Sequence, residues 1–204
     1  QVGEIFAAPP EVVLQPSKVG LNVPLDDNLQ SVTYGADQFL GSGFATDGIA
    51  ARTLDDASLP RFARYGTTLF GQGATALSPD EDWAIEIAYK HTGDYGSSQN
   101  PFFIQHREDD TRVLALFPSS GSDNWSLGAG NATGGYTMVA TDLELEERWN
   151  RFHFHYRADS QTIDAYLNKQ LIAPGIALGH GRYDPNQIQL EYTGAGTDWF
   201  GEVK

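Results

Sequence analysis

Between residues 149 and 171 the chain reads W-N-R-F-H-F-H-Y-R-A-D-S-Q-T-I-D-A-Y-L-N-K-Q-L. Phe152, Phe154 and Tyr156 alternate with Arg151, His153, His155 and Arg157. A period of two sends the rings to one face of a strand and the basic and imidazole groups to the other. Residues 158–161 carry turn formers. Ile163, Ala165 and Leu167 then alternate against Thr162, Asp164, Tyr166 and Asn168. A second turn at 168–170 precedes Leu171 and Ile172, so the stretch predicts a hairpin followed by a third strand.

The same pattern recurs along the chain. Trp83, Ile85, Ile87 and Tyr89 alternate with Ala84, Glu86, Ala88 and Lys90, as in a half-buried antiparallel strand. Residues 102–107 and 113–117 predict a hairpin. Residues 125–127 and 136–140 predict short strands around a Gly-rich loop at 128–135, and the acidic run 141–148 predicts a helical turn. Further strands are expected at 49–54, 64–70, 175–178, 188–192 and 199–203, with 31–48 as loop. Trp83 and Trp149 are expected in the core. Pro9, Pro10, Pro16 and Pro24 confine the first 28 residues to edge strands or extended connections. No stretch sustains a 3.6-residue apolar period over three turns. About a dozen short strands between turns give an all-β fold with almost no helix, a sandwich or barrel. No internal repeat and no mid-chain linker interrupts it, so residues 1–204 are expected to form a single domain. Residues 1–60 would be its irregular part and 61–204 its core motif region, with the N-terminal segment beside the last strand.

The order of the motifs adds to this. The chain has Thr68-Leu69-Phe70, Ala76-Leu77-Ser78 and Asp82-Trp83-Ala84-Ile85-Glu86-Ile87. It continues with residues 149–156, with Ile163-Asp164-Ala165-Tyr166-Leu167-Asn168, and closes on Trp199-Phe200-Gly201-Glu202-Val203. In this order the chain resembles a LamG-like jelly roll of the concanavalin A-like lectin/glucanase superfamily. The likeness runs from about residue 69 onward, and it departs where Asn150-Arg151 replaces a His pair and Lys169 replaces the usual Gly. It implies a jelly-roll β-sandwich of two antiparallel sheets. The superfamily hosts lectins, adhesive modules, glycoside hydrolases and polysaccharide lyases, so no single activity follows. A structural Ca²⁺ near the chain ends is common in it. Glu202 stands where the family places an acid, with Asp198 nearby, and hard oxygen ligands on an acidic protein suit calcium.

Composition narrows the partners. With 13 Lys and Arg against 27 Asp and Glu, the formal charge is −14, which disfavours nucleic acid and insertion into anionic membranes. Cysteine is absent, which excludes disulfides, thiolate catalysis and Cys-based zinc sites. No apolar run approaches the roughly 20 residues needed to span a bilayer. The chain begins at Gln and reads as a mature or excised segment, expected to be secreted or at a cell surface, beside other domains of a larger chain.

The stripe Arg151, His153, His155 and Arg157 is the least expected feature of so acidic a chain. On a concave sheet face it would serve as a carbohydrate-binding surface, with Trp125 and Tyr95 as candidate stacking rings; Tyr34, Tyr65, Tyr136 and Tyr183 are further loop aromatics. The first expectation is therefore a glycan-binding or adhesion module recognising a polysaccharide. The second is a polysaccharide lyase acting on a uronate polymer. There Arg151 or Arg107 would neutralise the carboxylate, and His153, His155 or Tyr166 would remove the C5 proton. The third is a structural domain, in which the stripe is surface decoration paired with Asp164 or Glu86 across the sheet. Gln105-His106-Arg107 does not match the Gln-x-His strand motif of jelly-roll alginate lyases, because neighbours on a strand point oppositely. No strand carries the Glu-x-Asp-x-x-Glu spacing of a retaining glucanase. A metal site at His153 and His155 lacks a third ligand.

Overall fold

A computed structural model describes residues 37–40, 44–46, 51–53, 63–66, 77–91, 100–106, 111–118, 124–146, 148–192 and 201–203, the strands at 37–66 and 201–203 by their backbone. The strands in chain order are β1 (Asp37–Leu40), β2 (Phe44–Thr46), β3 (Ala51–Thr53), β4 (Ala63–Gly66), β5 (Trp83–His91), β6 (Asn100–Gln105) and β7 (Arg112–Pro118). They continue with β8 (Asn124–Gly130), β9 (Tyr136–Glu144), β10 (Asn150–Arg157), β11 (Thr162–Leu167), β12 (Gln170–Ile176), β13 (Gln187–Tyr192) and β14 (Gly201–Val203). Two seven-stranded sheets result, in the orders β1-β4-β13-β6-β7-β8-β9 and β12-β11-β10-β5-β14-β3-β2. Every pairing is antiparallel, and the described residues contain no helix. The all-β sandwich expected from the alternation is the fold.

The alternation in β10 and β5 supplies the inner face of the second sheet. Phe152, Phe154 and Tyr156 are fully buried, and Trp83, Ile85, Ile87 and Tyr89 are buried beside them. Phe102 of the first sheet meets Phe152 and Phe154 edge-on, at centroid distances of 5.4 and 5.9 Å. At one end Tyr156 stacks between Trp83 at 5.1 Å and Tyr183 at 4.9 Å. The polar tips there are all engaged: Trp83 Nε1 donates to the Tyr183 carbonyl, Leu178 N donates to the Tyr183 hydroxyl, and Tyr156 donates to the Pro79 carbonyl. Burying a ring of this size stabilises the fold by about 1.5–3 kcal/mol, so β10 alone supplies much of the cohesion between the sheets.

Several local expectations are corrected. The segment 31–48 contains β1 and β2. The Gly-rich segment 128–135 is strand as far as Gly130, and the acidic run expected to turn helically continues β9 to Glu144. Gly128 is there for packing: a Cβ would lie 2.7 Å from the Phe117 ring and 3.1 Å from Tyr136 Cβ. Trp149 is only partly buried, because it precedes β10 and shares the outward parity of Arg151. The inward position next to it belongs to Asn150, fully buried, whose amide donates to the carbonyls of Glu146 and Arg148. β14 pairs with β5 and with β3, while the first 28 residues lie outside the described ones.

The two outer faces differ. On the first sheet Ala115, Ser126 and Gly128 point away from the core and are nevertheless buried. On the second sheet Ala84, Glu86, Arg151 and Arg157 are exposed. The outer face of the second sheet carries the basic stripe, with His155 and Asp164 buried among these exposed groups.

Candidate functional site on the outer face of the second sheet

Strand register assembles this face. β10 lies between β5 and β11, so His153 stands opposite Glu86 on one side and Tyr166 on the other, and His155 stands between Ala84 and Asp164. Tyr166 is in turn opposite Leu171 of β12, which is 46% exposed. The β11–β12 connection holds that register with a two-residue turn, Asn168-Lys169, both residues at positive φ. Such a turn matches the strand twist and ordinarily takes Asn-Gly. Asn168 also ties the turn to β10: its N–H donates to the Arg151 carbonyl and its Oδ1 accepts from the Arg151 N–H.

Both arginines of the stripe are occupied. Arg151 donates to Glu86 at 2.9 Å on an exposed part of the face. Arg157 grips Asp164 through Nε and NH2, both at 2.9 Å, and this raises its pKa, the hydrogen bond being the main cause and the carboxylate charge the second. Asp164 is buried, and its other oxygen accepts from Gly175 N at 2.8 Å, where β12 bulges with Gly175 at φ 60°. The pairing with Asp164 and Glu86 anticipated for a decorated face is thus present for the arginines.

The imidazoles are different. His155 is 9% exposed, and neither of its ring nitrogens has a hydrogen-bond partner. Its Nε2 is 3.9 Å from Asp82 Oδ2, too far for a hydrogen bond. His153 Nδ1 is likewise 3.9 Å from Glu86 Oε2, and its buried Nε2 has no partner. Burial holds the His153 pKa below its usual 6.5, the Glu86 carboxylate opposing that shift and His155 adding to it. The Tyr166 ring meets His153 edge-on at 5.9 Å. A neutral imidazole carries one donor and one acceptor, and leaving such groups buried and unmet is costly. The centre of the face therefore has unfilled hydrogen-bonding capacity inside a rim of satisfied ion pairs.

Five of the expected site residues, Arg151, His153, His155, Arg157 and Tyr166, thus share one surface. Trp125 does not join them. It is 1% exposed and packs edge-on against Tyr89 at 5.6 Å, so its ring is core and unavailable for stacking on a ligand. Tyr183 is core for the same reason, and Tyr136 lies against Phe117 on the first sheet. Arg107, Tyr95 and Asp198 lie outside the described residues. Glu202 is placed by its backbone alone, in register between Lys90 and Arg52, and among the described residues no three His, Asp or Glu converge on a point that could hold a metal ion. Sequence reasoning overlooked Asp82 and Leu171. Counting outward from the two-residue turn puts Leu171 opposite Tyr166, so the second was available from the pattern.

No family model matches the chain, and no curated protein matches it in sequence. Solved structures do resemble it. The carbohydrate-binding module CBM66 from Bacillus subtilis is 11% identical, with a TM-score of 0.53 over 85% of this chain and 94% of that one. Domain 4 of AbnA, a GH43 extracellular arabinanase from Geobacillus stearothermophilus, solved with arabinotriose, is 13% identical, with a TM-score of 0.55 over 91% and 90%. Alginate lyase A1-II', of polysaccharide lyase family 7, is 12% identical, with a TM-score of 0.54 over 90% of each chain. At such identities the likeness is one of fold. It supports a jelly-roll sandwich of the kind found in carbohydrate-binding modules and glycan-active enzymes, without singling out the LamG-like branch.

Proposed function

We propose that this domain is an extracellular glycan-recognition module whose ligand surface is the outer face of the second sheet around His153, His155 and Tyr166. The observation that carries the reading is the pair of imidazoles with unmet ring nitrogens at the centre of an otherwise satisfied surface. The fold's resemblance to carbohydrate-binding modules supports it. Sugar hydroxyls are matched to such groups, since each hydroxyl both donates and accepts.

The lyase reading is less well supported. Neutralising a uronate needs a guanidinium free to pair with it. Arg151 and Arg157 already hold carboxylates, and Arg107 lies outside the described residues. A structural calcium near Glu202 and Asp198 would be a further feature of such a module; a chelator lowering the melting temperature, with recovery on added Ca²⁺, would reveal it.

The test is retention of the domain by immobilised polysaccharides, with His153→Ala as the site variant. Retention that His153→Ala weakens about tenfold or more, while its melting curve stays near that of the parent, is the expected result. Failure to bind any polysaccharide of a broad panel would leave the domain a structural unit.

A further inference from the structure

The charge bookkeeping of the face bears on which glycan it takes. Arg151 and Arg157 face three carboxylates, Asp82, Glu86 and Asp164. With neutral imidazoles, and with Lys90 on the outward side of β5 counted, the face carries no net positive charge, on a chain whose formal charge is −14. An acidic polymer meets repulsion at long range. At contact it can draw, of the two arginines, only on Arg151, whose release leaves the Glu86 carboxylate facing the polymer, because taking Arg157 would strand the buried Asp164 carboxylate.

Resting on the glycan-recognition reading above, we propose that the ligand is a neutral polysaccharide, whose vicinal hydroxyls are met by the ring nitrogens of His153 and His155 while Tyr166 and Leu171 contact its C–H surface. A neutral imidazole offers a donor and an acceptor, and a pair of adjacent hydroxyls offers the complementary set. Tyr166 and Leu171 are register partners next to His153, so an apolar patch adjoins the polar one. This is the combination that holds a sugar ring: polar groups fix its hydroxyls and an aromatic covers its face. Access to His153 comes through the Arg151–Glu86 pair, and to the buried His155 nitrogens past the exposed Asp82. Both side chains of the Arg151–Glu86 pair are more than half exposed, so the pair is weak and yields readily. The Arg157–Asp164 fork stays in place as the far wall of the site.

The experiment uses the whole 204-residue chain. Neutral probes are soluble β-glucan, xylan, arabinan and galactan; acidic probes are alginate and polygalacturonate. Affinity electrophoresis and titration calorimetry are run at neutral pH in low and in molar salt, on the parent, His153→Ala, His155→Gln and Tyr166→Ala. The expected result is binding of at least one neutral polymer and of neither acidic one, changed little by salt. His153→Ala and Tyr166→Ala should each weaken it by about tenfold or more. A melting curve of every variant guards against misfolding, and His155→Gln, which keeps a donor and an acceptor, should weaken binding less than His153→Ala. Binding confined to acidic polymers and abolished by salt would overturn the neutral-ligand inference while leaving glycan recognition standing. Neutral binding untouched by His153→Ala and Tyr166→Ala would overturn the placement on this face. Silence toward every polymer of both classes would overturn the glycan-recognition reading itself.

Discussion

Replacing His155 by an apolar residue should make the domain more stable. The imidazole is 9% exposed and both ring nitrogens lack partners, so the folded state carries one unmet donor and one unmet acceptor. Each such group costs about 1–3 kcal/mol relative to a partnered one. Leucine or phenylalanine removes both and suits a central strand position beside Ala84. Allowing for imperfect packing of the new side chain, His155→Leu should gain about 2 kcal/mol. In a domain of this size each kcal/mol moves the midpoint by about 2–4 °C, so Tm should rise by about 4–8 °C. Differential scanning calorimetry measures this directly, and urea titration should show a higher midpoint at unchanged slope. Under the proposed function the same variants lose glycan affinity, so stability and binding move in opposite directions. If His155→Leu and His155→Phe both melt below the parent, the nitrogens are partnered in solution, and the argument from unmet capacity fails.

Three further outcomes follow from the same geometry. Lys169 sits at φ 71° in the β11–β12 turn, where glycine carries no Cβ penalty, so Lys169→Gly should stabilise by about 1 kcal/mol, read by thermal melting. Asp164→Ala removes the acceptor of the Arg157 fork and of Gly175 N, and should cost about 3 kcal/mol in urea titrations. The third concerns pH. Burial depresses the His153 pKa, so the unfolded chain binds the proton first; stability from this group is complete above about 6.5 and is lost as pH falls through the folded-state pKa. NMR titration should place His153 below 6.5, and a value above it would reverse the sign.

Much of this was written in the alternation. Phe152, Phe154 and Tyr156 against His153 and His155 is a one-strand pattern, and a strand with three large apolar residues on one side has a single way to bury them. The hairpin to β11 followed from the turn formers between, and β5 from its own period of two. Trp149 shows how a residue-type argument loses to parity: it is large and apolar, yet it is odd-numbered like Arg151 and lies on the outward side, while the small polar Asn150 takes the buried place. Gly128 was misread for a related reason. Glycine often marks a turn, and only the approach of Phe117 and Tyr136 from other strands reveals that it marks close packing here. Trp125 as a stacking ring failed because the strand expected there turns the ring inward, onto Tyr89. The pairing of the stripe with Glu86 and Asp164 was legible too, and register adds which arginine takes which carboxylate.

The two faces of β10 are coupled by counting. Adding or removing one residue anywhere between Asn150 and Arg157 would turn the imidazoles into the core and the aromatic rings into water beyond the point of change. A one-residue change of length here is therefore tolerated only where a β-bulge absorbs it. Under the proposed function, ligand preference would be altered by exchange of side chains at the odd positions, or through the neighbouring strands and loops.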